Sequence, residues 1–209
     1  MSNPTKTETI PVIVYAEMTP NPATMKFVAN RMLLLEDDAV EFSSVQSAKG
    51  YSPIAEAMLA FPFVTSIFIT ANFVTVTKTD NVDWDFIVME LRDFVSEWLK
   101  AGKEVLIKMP EAGGIANDPD DIQRAPRPVF EPTEYDKKIV ALLNEYVRPA
   151  VENDGGAIDF VGFKEGIVTL EMRGSCSGCP SSTMTLKGGI EQLLKSNMPE
   201  VKEVVALSA

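Results

Sequence analysis

No histidine occurs in the 209 residues, and only two cysteines do. Without imidazole the chain has no side chain that titrates near neutrality unaided. No constellation of carboxylates or lysines takes its place, so the sequence predicts a binding protein and not an enzyme. Two cysteines are too few for the disulfide framework of a secreted domain, and they predict a reducing compartment, read here as the cytoplasm. Basic residues are also scarce: 19 Lys and Arg against 30 Asp and Glu leave a formal charge of −11. Such a chain is repelled by phosphate backbones, which argues against a nucleic-acid partner. No apolar run approaches the roughly 18 to 20 residues of a membrane span, so no membrane partner is expected. Residues 1–10 lack the apolar or arginine-rich pattern of a targeting segment and read as a disordered leader.

Both cysteines lie in one motif, Cys176-Ser177-Gly178-Cys179. A tetrahedral thiolate site for zinc, or a cubane iron–sulfur cluster, needs four thiolates, and this chain has two. A second copy of the chain completes the set most simply. Gly174 and Gly178 suit a loop close to a ligand, and Pro180 suits the first position of a helix with Cys179 at its cap. Uncapped amides of the first turn, with Arg173 and Lys187 nearby in sequence, would favour thiolate over thiol.

Three other readings compete. An inert pair filling a core is disfavoured by the polar, Gly-rich surroundings. A thiol–disulfide oxidoreductase also sets C-x-x-C between a strand and a helix. Its sheet needs a further strand pair and helix, whereas only 30 residues follow Cys179. A zinc-bridged structural dimer satisfies the same ligand count. Proline after the last cysteine occurs in ferredoxin-type cluster loops, and is equally a helix-start residue.

Composition divides the chain. Between about Lys103 and Thr133 lie five prolines, Gly113-Gly114 and the run Asp118-Pro119-Asp120-Asp121. Little here could form a core, so residues 103–133 read as a solvated, semi-extended linker; nothing in the spacing supports a docking segment.

In the first piece, residues 11–102, Val12–Glu17 and Met25–Asn30 read as strands joined by the rigid turn Thr19-Pro20-Asn21-Pro22. Ser52-Pro53 opens a short helix to about Ala60. Val64–Thr70 and Phe73–Thr79 form a hairpin. A long helix capped by Asp83 follows, with Ile87, Leu91, Phe94, Val95 and Trp98 on one face.

The second piece, residues 134–209, starts with an amphipathic helix that stops near Pro149. Strands Ala157–Phe163 and Ile167–Arg173 come next. Val168, Leu170 and Met172 alternate with Thr169, Glu171 and Arg173, which predicts one buried and one wet face. A helix through Leu186, Ile190, Leu193 and Leu194 and a strand Val201–Leu207 end the chain. The expected fold is α+β: two small domains, each a mainly antiparallel sheet with packed helices, the second in the order α-β-β-α-β.

The stretch from Val151 to Phe160, with its Asn153-Asp154-Gly155-Gly156 turn, and the stretch from Val168 to Glu191 around the cysteines closely resemble the NifU-like C-terminal domain. Thr19-Pro-Asn-Pro-Ala-Thr-Met-Lys-Phe27 and the Trp84 helix are similar to the N-terminal domain of Nfu-type proteins. The resemblance implies an iron–sulfur cluster scaffold or carrier that binds a [4Fe–4S] cluster between two subunits and passes it to apo-proteins. It implies Cys176 and Cys179 as ligands to the cluster metal, a cluster donor as a further partner, and a backbone role for Gly155 and Gly156. The first domain has no cysteine, and by resemblance it would recognise targets or donors.

Overall fold

The computed structural model describes residues 11–35, 38–110, 128–177 and 180–208. The expected leader, residues 111–127 of the expected linker, and Cys179 lie outside the described residues.

The first sheet holds β1 (Val14–Met18), β2 (Thr24–Ala29), β3 (Ala39–Phe42), β4 (Val64–Thr70) and β5 (Phe73–Lys78) in the order β1-β2-β5-β4-β3. Every neighbouring pair is antiparallel. Two short helices, α1 (Val45–Ala48) and α2 (Pro53–Met58), lead into β4. Ser52 caps α2 by accepting from the Ala55 amide, and Pro53 occupies the first turn, where its missing N–H costs nothing. Helix α3 (Trp84–Lys100) buries Ile87, Leu91, Val95 and Leu99, a four-residue repeat that faces the sheet. Asp83 stands at its N-cap position without a side-chain capping bond, contrary to expectation.

Strand β3 and helix α1 were not legible in the sequence. Each has four residues, too few for a hydrophobic period to emerge. Beyond α3 the chain stays attached to this domain: Ser52 Oγ donates to the Val105 carbonyl, and the Ile107 amide donates to the Tyr51 carbonyl.

The second sheet is β6 (Gly156–Lys164), β7 (Ile167–Gly174) and β8 (Glu203–Ser208), in that order. Strands β6 and β7 form a hairpin through Glu165-Gly166, both at positive φ, the backbone a two-residue hairpin turn requires. Strand β8 pairs parallel to β7, which requires the crossover that α6 (Pro180–Asn197) supplies. As the central strand, β7 buries Thr169 and Glu171 as well as Val168, Leu170 and Met172, so its second face is not wet as predicted. The first sheet covers that face: β4 and β5 pack against β7, and Arg173 of β7 donates to the Ala39 carbonyl.

The helix before β6 does not end near Pro149. Helix α4 (Asp136–Leu142) widens into a π-helical turn over Leu143–Val147 and continues as α5 (Arg148–Asn153). The wider turn places Pro149 in the first turn of α5, where neither its missing N–H nor its ring breaks a bond. Ile139, Leu143, Val147 and Val151 are buried along this composite helix, with Leu170, Met172, Ile190 and Leu194 in the same core. Truncating fully buried Leu170 to alanine is expected to cost about 2–5 kcal/mol in chemical denaturation. Exposed Tyr146→Ala should cost well under that. Among the described residues, no helix is long and apolar enough to cross a membrane.

Candidate functional site

Strand β7 ends at Gly174, whose φ of +67° is left-handed. A Cβ at this position would meet the Gly155 carbonyl oxygen at 2.7 Å and Phe68 Cδ1 at 2.9 Å, so only glycine fits. The next residues are laced to the turn that precedes β6. The Ser175 amide donates to the Gly155 carbonyl at 3.2 Å, the Ser175 hydroxyl donates to the Asp154 carbonyl, and the Ser177 amide donates to the Gly174 carbonyl at 3.1 Å. Pairing of β6 with β7 sets Gly156 opposite Gly174. A Cβ on Gly156 would lie 2.7 Å from Cys176 Sγ and 2.7 Å from the Arg173 carbonyl oxygen. The sulfur therefore sits directly against bare backbone. This close approach is the physical reason for the second glycine of the Gly155-Gly156 pair.

Cys176 is 6% exposed and packs with the second core, not in an open polar loop as the sequence suggested. Burial pushes its thiol up from the ordinary value, and the charge of Asp154 pushes the same way; the Ser175 hydroxyl, 3.9 Å from Sγ, pulls it down. Both predicted cations engage other groups. Arg173 pairs with Asp159 and donates to the Ala39 carbonyl at 2.8 Å, while Lys187 acts on Glu191 one helical turn away. Burial thus works against the thiolate at Cys176, the direction opposite to that in which a bound metal ion would act. Of the two predicted ligands, the structure places Cys176 alone. Among the described residues no cluster of three or more thiol or carboxyl groups could hold a metal ion.

One set of residues at this site went unread in the sequence: the outer face of the first sheet. Asn21, 6% exposed, donates through Nδ2 to the Ser175 carbonyl at 3.1 Å and points to that of Ser177 at 3.5 Å. Its Oδ1 accepts from the Ala23 amide and closes its own turn. Thr75 Oγ1 donates to the Gly155 carbonyl at 2.7 Å, Lys26 Nζ to the Asn153 carbonyl at 3.2 Å, and the Gly174 amide to Glu41 Oε2 at 3.1 Å. Val28, Phe68 and Phe73 form an apolar cluster on the same face, packed against Ala157 of β6. The available signal was Phe27-Val28-Ala29 in β2, an apolar run without alternation, as expected of a strand covered on both faces. Beside the sulfur lies a cavity of about 390 Å³, walled by Pro20, Asn21, Asp154, Ser175, Thr185 and Leu186.

Comparison with known proteins places both halves of the chain. The model described as "NifU-like domain" matches residues 139–205, and "Scaffold protein Nfu/NifU N terminal" matches residues 14–102. The mitochondrial NifU-like protein 4 of Arabidopsis thaliana is 36% identical over 199 residues, covering 92% of this chain and 65% of that protein. The mitochondrial NFU1 iron-sulfur cluster scaffold homolog of Homo sapiens is 31% identical over 194 residues, covering 92% of this chain and 71% of that protein. The solution structure of a NifU-like protein from Saccharomyces cerevisiae superposes with a TM-score of 0.44 at 23% identity, over 52% of this chain and 96% of that one. The chain spans about two thirds of the length of these two curated relatives. Their mitochondrial names overturn the cytoplasmic expectation. Sparse cysteine separates reducing from oxidising compartments, and it does not distinguish one reducing compartment from another.

Proposed function

We propose a cargo-carrying role for this chain, which belongs to the family of NifU-like and Nfu iron–sulfur cluster scaffold proteins. The cargo is a [4Fe–4S] cluster held between two copies of the chain. Cys176 and Cys179 of each subunit supply the four thiolates, and the assembled dimer hands its cluster to apo-proteins after loading from a donor scaffold. The observation that carries this reading is the donor count: two thiols per chain, with the described one seated on bare glycine backbone beside a cavity. Soft thiolates suit iron–sulfur clusters, copper(I) and zinc, and the family selects the first.

A site divided between subunits assembles and comes apart with their association, which suits release better than four ligands in one chain. Residues 134–209 hold the cargo, and residues 11–102, which have no cysteine, would take part in recognising donors or targets. Nothing in this role calls for acid–base or nucleophilic catalysis. The redox alternative needs an accessible attacking thiol of lowered pKa, and Cys176 is buried with its pKa raised.

Iron and sulfide content after anaerobic purification, taken with the solution mass, tests the proposal. About two iron and two sulfide per chain are expected, in a species of twice the 22.9 kDa chain mass. A colourless dimer containing zinc, or a monomer that turns over disulfide substrates, would overturn it.

A further inference from the structure

We infer that the first domain is a lid on the cysteine loop, and that it occupies the surface a second copy of the chain must use. The second half of this statement rests on the shared-cluster reading above; the first half stands on geometry alone.

The turn between β1 and β2 forms one wall of the cavity at Cys176, through Pro20 and Asn21. Its bonds run to the loop that carries the sulfur, since Asn21 binds the carbonyls on either side of Cys176. Behind it, Thr75, Lys26 and Glu41 hold the Asn153–Gly155 turn and Gly174, the two segments that fix the sulfur's position. A metal–thiolate bond is about 2.3 Å long, so sulfurs from two chains that share one small cluster must converge closely. Pro20 and Asn21 stand in that approach. Docking of the first domain and docking of a second copy are therefore mutually exclusive at this loop.

The contact has the composition of one that opens. It is largely polar, with one small apolar cluster of Val28, Phe68 and Phe73, and interfaces of this kind between domains of one chain permit relative motion. Arrival of a second cysteine loop displaces the lid and uncovers the face that carries Lys26, Phe68 and Phe73.

The test uses the full chain in a Cys179→Ser background, so that iodoacetamide labelling reports Cys176 alone, without iron or sulfide. Asn21→Asp keeps the acceptor for the Ala23 amide, so the turn survives, but it sets a carboxylate against two carbonyl oxygens. Thr75→Val keeps the side-chain shape and removes the bond to Gly155. The double variant is expected to label at Cys176 at least tenfold faster at one pH, with unchanged far-ultraviolet circular dichroism and faster amide exchange over 174–177. Labelling and exchange at the parental rates would overturn the lid, whatever the cargo.

A second arm uses the unaltered chain loaded with iron and sulfide. Buried Lys26 should become reactive to an amine-directed ester in the loaded dimer, with exposed Lys49 as the internal reference. A loaded dimer in which Lys26 stays protected would refute the competition. Failure to load any cluster would count against the shared-cluster reading while leaving the Cys176 labelling to decide the lid.

Discussion

Cys176→Ser is expected to reduce cluster iron from about four per pair of chains to none, because two of the four thiolates are removed at once. Loss should be all-or-none, since a cubane with two ligands missing has no protein donor set left to close it. The substitution also leaves a hydroxyl at a position that is 6% exposed, at a cost of about 1–3 kcal/mol if it finds no partner. Cys176→Ala removes the sulfur without adding that hydroxyl, so it separates ligand loss from misplaced polarity. Both variants should fold, as followed by denaturant unfolding, and both should fail to develop visible absorption on anaerobic reconstitution. Cys179→Ser should behave the same way by the donor count. A Cys176→Ser dimer that still held about four iron would remove the basis of the proposed function.

Gly156→Ala should have the second-largest effect, and it adds only one methyl group. That carbon would lie 2.7 Å from both Cys176 Sγ and the Arg173 carbonyl oxygen, inside the distance that real Cβ atoms keep. The carbonyl belongs to a strand paired with β6, so it cannot swing aside like a side chain. The end of the hairpin must separate and the sulfur must shift. Overpacking of this kind costs about 1–3 kcal/mol. We expect that loss in chemical denaturation, together with at least tenfold faster loss of iron to a chelator.

Gly188→Ala and Gly189→Ala supply the contrast. Both glycines lie within α6, and a Cβ at either would meet nothing within 4 Å. Alanine there should leave iron retention unchanged and stabilise the helix by about 0.5–1 kcal/mol. If Gly156→Ala matched these two in stability and retention, the sulfur would not depend on its glycine seat.

Much of the fold was legible because it is local. The buried stripe of α3 follows a four-residue spacing, the β6–β7 hairpin turns at Glu165-Gly166, and α6 opens at the proline that the sequence singled out. Failures fell where a neighbour outside the local window decides the outcome. Helix propensity alone stops at Pro149, but a π-helical turn absorbs it. Alternation along β7 predicts a wet face, but the first sheet packs over it. Arg173 adjoins the cysteine motif in sequence, yet its guanidinium is committed to Asp159 and Ala39.

By itself the sequence determined the ligand arithmetic: with two thiols and no histidine, a four-thiolate site is one that a single chain cannot complete. That conclusion depends on residue counts, which folding does not change. Only the tertiary structure decided that Cys176 is enclosed and that the first domain encloses it. The residues responsible, Asn21 and Ser175, are 154 positions apart. Contacts at such a separation leave no periodic trace along the chain; they exist only once two independently folded surfaces meet.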